Sequence, residues 1–320
     1  MGALYWKMIE ILKPSKAKLE VLEKPTSQCW INVASPTEEE ILRIKSLIDV
    51  PEELLNSLKD IDEIPTIEEY GDITFITIRT PYNNPKIDLE YYTVPIGVLV
   101  TNDFVMTICY FENDVIEKLK SQRFSFRKTQ LVFRLLLASA KLFLSYLKEI
   151  KRKIYLIESQ LEQSQKNKQI MELLELEKDL VYFETSLKSN EILIERIEKT
   201  AKGDTIKKNI LIKTPGDKEL IENVIEENKQ AIEMTTIYSN ILSSTLDAFA
   251  SVISNNLNIV IKVLTSITIV LMLPTLVASV YGMNVKLPFQ QSPSAFLIIM
   301  AFSFTLSVFG LLVLWKKKLF

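Results

Sequence analysis

The chain contains no histidine among its 320 residues, and it has only two cysteines and seven glycines. Without histidine it lacks the side chain most often used for acid–base catalysis near neutral pH and for binding transition metals. Cys29 and Cys109 are 80 positions apart, so they form neither a CxxC metal motif nor a disulfide framework. No glycine-rich phosphate loop and no nucleophile–base pair stands out, so we do not expect an enzyme.

No sign of charge dominates the chain. Its 38 basic and 40 acidic residues give a formal net charge of −2. A domain that binds nucleic acid usually shows a marked excess of basic residues. The charge balance therefore gives no reason to expect a nucleic-acid partner.

Charge is entirely absent from two stretches near the C-terminus, residues 263–285 and 295–315. Each reaches the roughly 20 residues that a helix needs to cross a bilayer. We predict two membrane-spanning helices, 261–281 and 295–315, joined by an extracellular loop, 282–294, and followed by a basic tail, 316–320. Lys316, Lys317 and Lys318 follow the second span, whereas the loop contains only Lys286. The positive-inside rule then places both termini in the cytoplasm.

Residues 1–130 show the pattern of a mixed α/β domain. Strand-like runs occur at 29–33 and 73–78, and two more, at 96–100 and 104–108, flank the turn Thr101-Asn102-Asp103 as a hairpin. A threonine followed by three glutamates, Thr37 to Glu40, is typical of a helix start. The order of these elements predicts a central sheet covered by helices.

Helical patterns dominate from residue 131 onward. We predict a helical cytoplasmic region over 131–217, with breaks at Lys202-Gly203-Asp204 and at Thr214-Pro215-Gly216-Asp217. One helix over 218–281 would be about 90 Å long at 1.5 Å per residue, and residues 218–260 would form its stalk. Its apolar residues keep a spacing of three to four: Ile221, Ile225, Ile232, Leu242, Leu246, Phe249, Ile253 and Leu257. Such a helix needs partners, either other copies of itself or, before about residue 240, a bundle within one chain.

Polar residues share one face of the first predicted span. Thr265, Thr268, Met272, Thr275 and Ser279 recur at intervals of three and four, with Asn258 and Ile261 just before them. A single hydroxyl in a span can bond its own backbone, but several on one face indicate that this face avoids lipid. Neutral oxygens can hydrogen-bond the waters of a hydrated cation, and Ile261, Leu264 and Met272 are suited to apolar constrictions. We therefore expect this helix to line a pore and the second span to surround it.

The turn between the spans carries the sequence Tyr281-Gly282-Met283-Asn284. Together with Trp-Ile-Asn-Val at 30–33, Pro-Thr-Ile-Glu-Glu-Tyr at 65–70, Ser-Asn-Asn-Leu-Asn at 254–258 and Lys-Val-Leu-Thr at 262–265, it resembles the CorA family of magnesium channels. The resemblance covers roughly residues 20–320.

The resemblance implies an α+β cytoplasmic domain, an αβα sandwich, with a long stalk helix and two C-terminal transmembrane helices in a funnel-shaped homopentamer. This assembly would lie in the cell (inner) membrane of a prokaryote. Gly282, Met283 and Asn284 would form the selectivity filter, where the Asn284 amide meets the metal ion through its hydration water. The pore-lining residues would be Asn258, Ile261, Leu264, Thr268, Met272, Thr275 and Ser279.

The implied function is uptake of hydrated Mg²⁺, with Co²⁺ or Ni²⁺ as further substrates, down the electrochemical gradient. The membrane potential supplies about 2.3 kcal/mol per charge per 100 mV, which doubles for a divalent ion. We expect no cofactor other than Mg²⁺ itself, as the transported and a regulatory ion.

Two departures from the family pattern affect these expectations. The loop carries Lys286 and no acidic residue, which disfavours high-affinity capture of cations at the mouth. Ser57 and Asn223 stand where the family uses an Asp pair between neighbouring domains to sense Mg²⁺. Nearby carboxylates offer a substitute regulatory metal site: Asp60, Asp62, Glu222 and Glu226.

Two alternatives stay open at this point. A zinc-transporting relative of the same family is disfavoured because such proteins usually replace the Met of the motif, and because histidine is absent. A membrane-tethered helical scaffold or sensor would explain the long helix, but it explains neither the polar face nor the tetrapeptide.

Overall fold

The computed structural model describes residues 9–14, 19–83, 90–111, 113–121, 127–163, 167–201, 212, 214–288 and 293–317. The chain divides into two compact units, unit 1 (Met1–Ser243) and unit 2 (Ser244–Phe320). One long helix crosses the boundary between them.

Within the described residues, unit 1 contains a seven-stranded sheet in the order β2-β1-β3-β7-β6-β5-β4. Only the central β3–β7 pair is parallel, and every other neighbouring pair is antiparallel. The strands are β1 Ile9–Pro14, β2 Leu19–Leu22, β3 Cys29–Ala34, β4 Ile67–Tyr70, β5 Ile73–Asn83, β6 Tyr91–Val100 and β7 Phe104–Cys109. The helices that the structure describes are α1 Glu38–Leu47, α2 Glu52–Ser57, α3 Asp114–Lys120, α4 Lys128–Gln163, α5 Asn167–Ala201, α6 Pro215–Tyr281 and α7 Ala295–Lys316.

Helices cover the sheet on both faces, as an αβα sandwich, which confirms the layering that we predicted. The short helices α1 and α2 bury Ile44, Leu55 and Leu58 against strand residues such as Ile31 and Met106 on one face. The long helices α4 and α5 pack against β5 and β6. Because nearly every residue of β5 and β6 is buried, these strands present no solvent-exposed face.

Two sequence signals mark helix starts in the structure. Thr37 and Glu40 form a complete capping box at α1. Thr214 and Asp217 bond reciprocally at the start of α6, where Pro215 occupies the first helical position, so this predicted break is the beginning of the long helix. The other predicted break, Lys202-Gly203-Asp204, lies outside the described residues.

The stalk part of α6 packs within the chain before residue 243, in favour of the intramolecular bundle. Its buried residues recur at intervals of three and four: Ile221, Val224, Asn228, Ala231, Thr235, Tyr238 and Leu242. The Asn228 amide donates to the carbonyl oxygen of Leu187 on α5 at 3.2 Å. Ile225 and Ile232, which we assigned to this stripe, are only half-buried beside it, because the polar and small residues occupy its centre.

Asn190 of α5 closes an open edge of the sheet. Strand β4 pairs with β5 only as far as Ile76, so the backbone of Arg79 has no strand partner on that side. The Asn190 side chain accepts from the Arg79 N–H at 3.1 Å and donates to the Arg79 carbonyl at 2.7 Å. An amide can imitate a strand in this way because it carries both a donor and an acceptor. These two hydrogen bonds fix α5 to the sheet.

We expect Asn190→Ala to lower the free energy of unfolding by about 1–3 kcal/mol, because it leaves the buried N–H of Arg79 unpaired and removes the shorter of two bonds to its carbonyl oxygen. The Ser139 hydroxyl, at 3.3 Å, would remain as a donor to that oxygen. The matched control is Thr185→Ala on the same helix, whose exposed hydroxyl bonds only the carbonyl of Val181. Its effect should stay within about 0.5 kcal/mol. Thermal unfolding of the purified full-length variants measures both, and equal losses would show that Asn190 is not the link.

Candidate functional site

Three of the described helices, α4, α6 and α7, are long and apolar enough to cross a membrane. They differ in how much of the apolar segment the chain itself covers, namely 72% in α4, against 11% in α6 and 6% in α7. The apolar part of α4 is therefore core of unit 1. The apolar parts of α6 and α7, which belong to unit 2, require an apolar environment that the single chain does not supply.

Within unit 2, α6 and α7 contact each other along one face of each helix. Ser266 and Val277 on α6 and Ser303 on α7 are buried there. At Gly310 of α7 the helices approach so closely that an added Cβ would lie 2.8 Å from Cδ1 of Leu273. Small residues at such contacts let membrane helices pack tightly.

The predicted pore face lies on the other side of α6. At 100° per residue, its residues are centred about 150° around the helix from the face that contacts α7. All seven are exposed: Asn258, Ile261, Leu264, Thr268, Met272, Thr275 and Ser279. Exposure alone does not single them out, because α7 covers only one side of α6. Their position opposite α7 is what distinguishes them, since α7 cannot cover this face.

Two hydroxyls on this face bond the backbone of their own helix. Thr268 donates to the carbonyl oxygen of Leu264 at 2.8 Å, and Thr275 donates to that of Leu271 at 3.0 Å. Each proton is therefore directed at the helix, and each oxygen presents lone pairs outward. The waters around a cation point their hydrogens away from it, so a surface of hydroxyl lone pairs suits a hydrated cation.

The tetrapeptide follows directly from the end of α6. The N–H of Gly282 donates to the carbonyl oxygens of Ala278 and Ser279, and that of Met283 to Val280 at 3.2 Å, which terminates the helix. The Tyr281 hydroxyl donates to the carbonyl oxygen of Pro288 at 3.3 Å. This bond ties the helix end to the far part of the turn, while Gly282, Met283 and Asn284 stay exposed.

Among the described residues of one chain, nothing requires glycine at position 282. Its φ lies outside the left-handed region, and an added Cβ would meet only the carbonyl oxygens of Ala278 at 3.4 Å and Ser279 at 3.5 Å. These are near-ordinary contact distances. A functional need for glycine here would therefore arise from neighbouring copies or from whatever passes the turn.

The predicted regulatory residues do not converge within one chain. In the described part of the chain, no three His, Cys, Asp or Glu side chains are grouped so that they could hold a metal ion. The Oε1 atom of Glu222 on α6 lies 3.6 Å from the Nζ atom of Lys218 on the same helix. A site formed by Asp60, Asp62, Glu222 and Glu226, at the positions near Ser57 and Asn223, thus remains a prediction for an interface between copies.

Asp60 and Asp62 lie instead in an acidic turn of unit 1. The Asp60 carboxylate accepts from the N–H of Asp62 at 2.9 Å. Burial, reinforced by the charge of Asp60, raises the pKa of the Glu63 carboxyl. The buried guanidinium of Arg79 donates to the Glu63 carbonyl oxygen at 3.1 Å. Burial lowers the pKa of this guanidinium, and the charges of Asp62, Asp60 and Glu63 oppose that shift. The turn is therefore partly neutralised from inside the fold.

Comparison with known proteins agrees with the resemblance. The family model described as "CorA-like Mg2+ transporter protein" matches residues 26–318. The cobalt/magnesium transport protein CorA of Methanocaldococcus jannaschii is 28% identical over 286 residues, 85% of each chain. The magnesium transport protein CorA of Wolinella succinogenes is 26% identical over 305 residues, 86% of this chain and 85% of its own. The complete structure of the Methanocaldococcus CorA magnesium transporter superposes with a TM-score of 0.81 at 22% identity over 96% of both chains.

The close approach at Gly310 gives a test of the α6–α7 contact. Gly310→Val should destabilise the protein by about 1–3 kcal/mol, because its side chain overlaps Leu273. Leu273→Ala in the same chain should restore most of the loss, since it vacates that space. Ala301→Val, on an exposed part of α7, adds similar bulk and should be tolerated. Thermal unfolding in detergent measures all four proteins, and a Gly310→Val loss that Leu273→Ala leaves unchanged would contradict the contact.

Proposed function

This chain belongs to the CorA family of Mg²⁺ transporter proteins, and on that premise we propose that it forms a homopentameric channel for the uptake of hydrated Mg²⁺. In this proposal α6 lines the path, α7 surrounds it, and Gly282, Met283 and Asn284 of each copy form the selectivity ring at the outer mouth. Co²⁺ and Ni²⁺, which form similar hydrates, are further substrates.

The observation that carries the proposal is the uncharged polar face of α6. It lies opposite α7, it presents hydroxyl lone pairs through Thr268 and Thr275, and it ends at the exposed tetrapeptide. A ring of copies that turned this face inward would enclose a path without a single charged side chain from residue 263 to residue 285. Such a path holds a hydrated ion loosely enough to release it.

Asn284 is the proposed point of recognition. Its amide oxygen accepts hydrogen bonds from the waters that Mg²⁺ keeps, because this ion gives up its hydration shell reluctantly. Five such oxygens would select for the size and charge of the hydrate rather than for a bare ion. Lys286, two residues further along, adds a positive charge at the mouth and disfavours tight capture there.

Association of copies would also cover apolar surface that one chain leaves open. Between the buried part of α6 and the membrane span, Ile253 and Leu257 are 41% and 59% exposed. Leu246 and Phe249 on the same side are only half-buried. The helix is not within the apolar span here, so other copies of the chain are the partners we propose for this stripe.

Uptake in proteoliposomes tests the function. We expect Mg²⁺ influx that cobalt hexaammine blocks from outside, because this inert complex imitates a hydrated ion. Asn284→Ala should reduce influx by about tenfold or more, because a hydrogen bond to a water of the hydrate is worth about 0.5–1.5 kcal/mol and the substitution removes one from every copy in the ring. The variant should assemble normally, as size-exclusion chromatography would show.

Three outcomes would contradict the proposal. Wild-type influx through Asn284→Ala would remove this residue from recognition. Zn²⁺ influx without Mg²⁺ influx would favour the zinc-transporting alternative. No influx of either ion through correctly assembled protein would favour a helical scaffold or sensor.

The absence of a steric need for glycine gives a second prediction. Gly282→Ala should leave thermal stability close to that of the wild type, since the added methyl has room among the described residues of one chain. Its Mg²⁺ influx should nevertheless fall, because five methyl groups would narrow the proposed ring. Ala278→Gly, which alters the exposed surface of the last helical turn, serves as the control for a general effect on the helix end. Unchanged influx in Gly282→Ala would place this residue outside the narrow part of the path.

A further inference from the structure

A cleft of about 370 Å³ opens in unit 1 between α4, α5 and the residue before β6. Four carboxylates line it, Glu90, Glu172, Glu175 and Asp179, and Lys153 is the one cation among its described lining residues. Lys168, which is not part of the lining, lies 3.6 Å from the Glu172 carboxylate. The Lys153 ammonium already pairs with Glu90 and lies 5.0 Å from the centre of the Tyr91 ring. Among the described residues of the lining, acidic side chains therefore outnumber basic ones.

Asp179 is the innermost of these groups. Its side chain is only 1% exposed, and its Oδ1 atom has no hydrogen-bond partner among the described residues. The main-chain N–H of Tyr91 donates to the same carboxylate. A buried carboxylate oxygen without a partner is expensive unless a cation or a donor reaches it. The cleft is the route by which one would do so.

The electrostatics of Asp179 agree with this geometry. Burial raises the pKa of its carboxyl to about 7, and the charges of Glu90 and Glu175 act in the same direction. The Tyr91 N–H and the Lys153 charge oppose the rise. Near neutral pH a proton and a cation would therefore compete for the same carboxylate.

The size of the cleft and the spacing of its acids narrow the choice of cation. No three acidic side chains in the described part of the chain converge closely enough to hold a bare metal ion. Six waters need about 180 Å³ at about 30 Å³ each, so the cleft has room for an ion with its full hydration shell. Mg²⁺ and similar hard dications keep their waters readily when few carboxylates contact them.

We propose that this cleft binds a hydrated divalent cation, with Asp179 as its innermost acceptor and Glu175, Glu172 and Glu90 around its water shell. The site lies within one copy of the chain. It is separate from the regulatory residues considered above, and it does not depend on the transport proposal.

Binding can be followed at the cleft itself in the full-length protein. Cys29 and Cys109 are 0% and 4% exposed, so a nitroxide label will react selectively at Ser159→Cys, an exposed position next to Gln160 of the cleft wall. Mn²⁺ serves as the probe, because it is a hard paramagnetic dication that broadens the signal of a nearby nitroxide. We expect broadening that excess Mg²⁺ and cobalt hexaammine both reverse.

Asp179→Asn in the labelled protein should weaken Mn²⁺ binding by about tenfold or more, a typical loss when a group that orients a metal site is removed. The matched control is Glu195→Gln on the same helix, whose carboxylate is 62% exposed and outside the cleft, and which should change nothing. If Asp179→Asn fails to fold, Glu175→Gln, an exposed member of the cleft, should still weaken binding several-fold. Broadening that is unchanged in both cleft variants would overturn the site.

The competitors and the pH dependence separate the remaining outcomes. Because the cation displaces a proton from Asp179, the affinity for Mn²⁺ should rise as pH increases from 6 to 8, with a slope that approaches tenfold per unit below pH 7. This slope should vanish in Asp179→Asn. Displacement of Mn²⁺ by Mg²⁺ but not by cobalt hexaammine would contradict the proposal that the ion binds with its full hydration shell. Displacement of Mn²⁺ by spermidine, but by neither Mg²⁺ nor cobalt hexaammine, would contradict a site for divalent metal ions and would favour a site for an organic cation.

Discussion

The unbroken backbone of α6, from Pro215 to Tyr281, is the constraint on which the rest of the chain depends. A helix fixes the direction of every side chain around one axis. At any position along that axis, a given face can therefore contact only one neighbour. In unit 1 the stripe from Ile221 to Leu242 is buried within the chain. In unit 2 the face of Ser266 and Val277 contacts α7. In unit 2 the polar face of α6 remains uncovered by its own chain, because α7 contacts a different face of the helix.

Features encoded by local composition could be predicted from the sequence. The two uncharged runs, the hairpin around Asn102 and the capping residue Thr37 depend on neighbours within a few positions. The separation of α4 from α5 could not be predicted, because the segment between Gln163 and Asn167 contains neither glycine nor proline. The buried stripe of α6 was partly misassigned for a similar reason. Apolar side chains suggested Ile225, whereas Asn228 occupies the centre because a carbonyl of α5 satisfies its amide.

The candidate sites divide in the same way. The tetrapeptide at 281–284 was found by its resemblance to a family, and the polar face by its spacing. That this face lies opposite α7 depends on which residues α7 contacts, which no local pattern contains. Asp179 was missed, although a signal was present. It lies three residues after Leu176 and four before Phe183, both buried, which places a carboxylate on the apolar face of α5.

The burial of α4 has a consequence for how the protein is made. This helix is apolar enough to be inserted into a bilayer, yet its place is in the core of unit 1. A segment of this kind must find its protein partners before a membrane accepts it. All seven strands of the described sheet precede α4 in the chain, so the sheet face against which it packs has already been synthesised when it emerges, and only its partner α5 is still to follow. The order of the elements thus protects the topology of the membrane hairpin that follows.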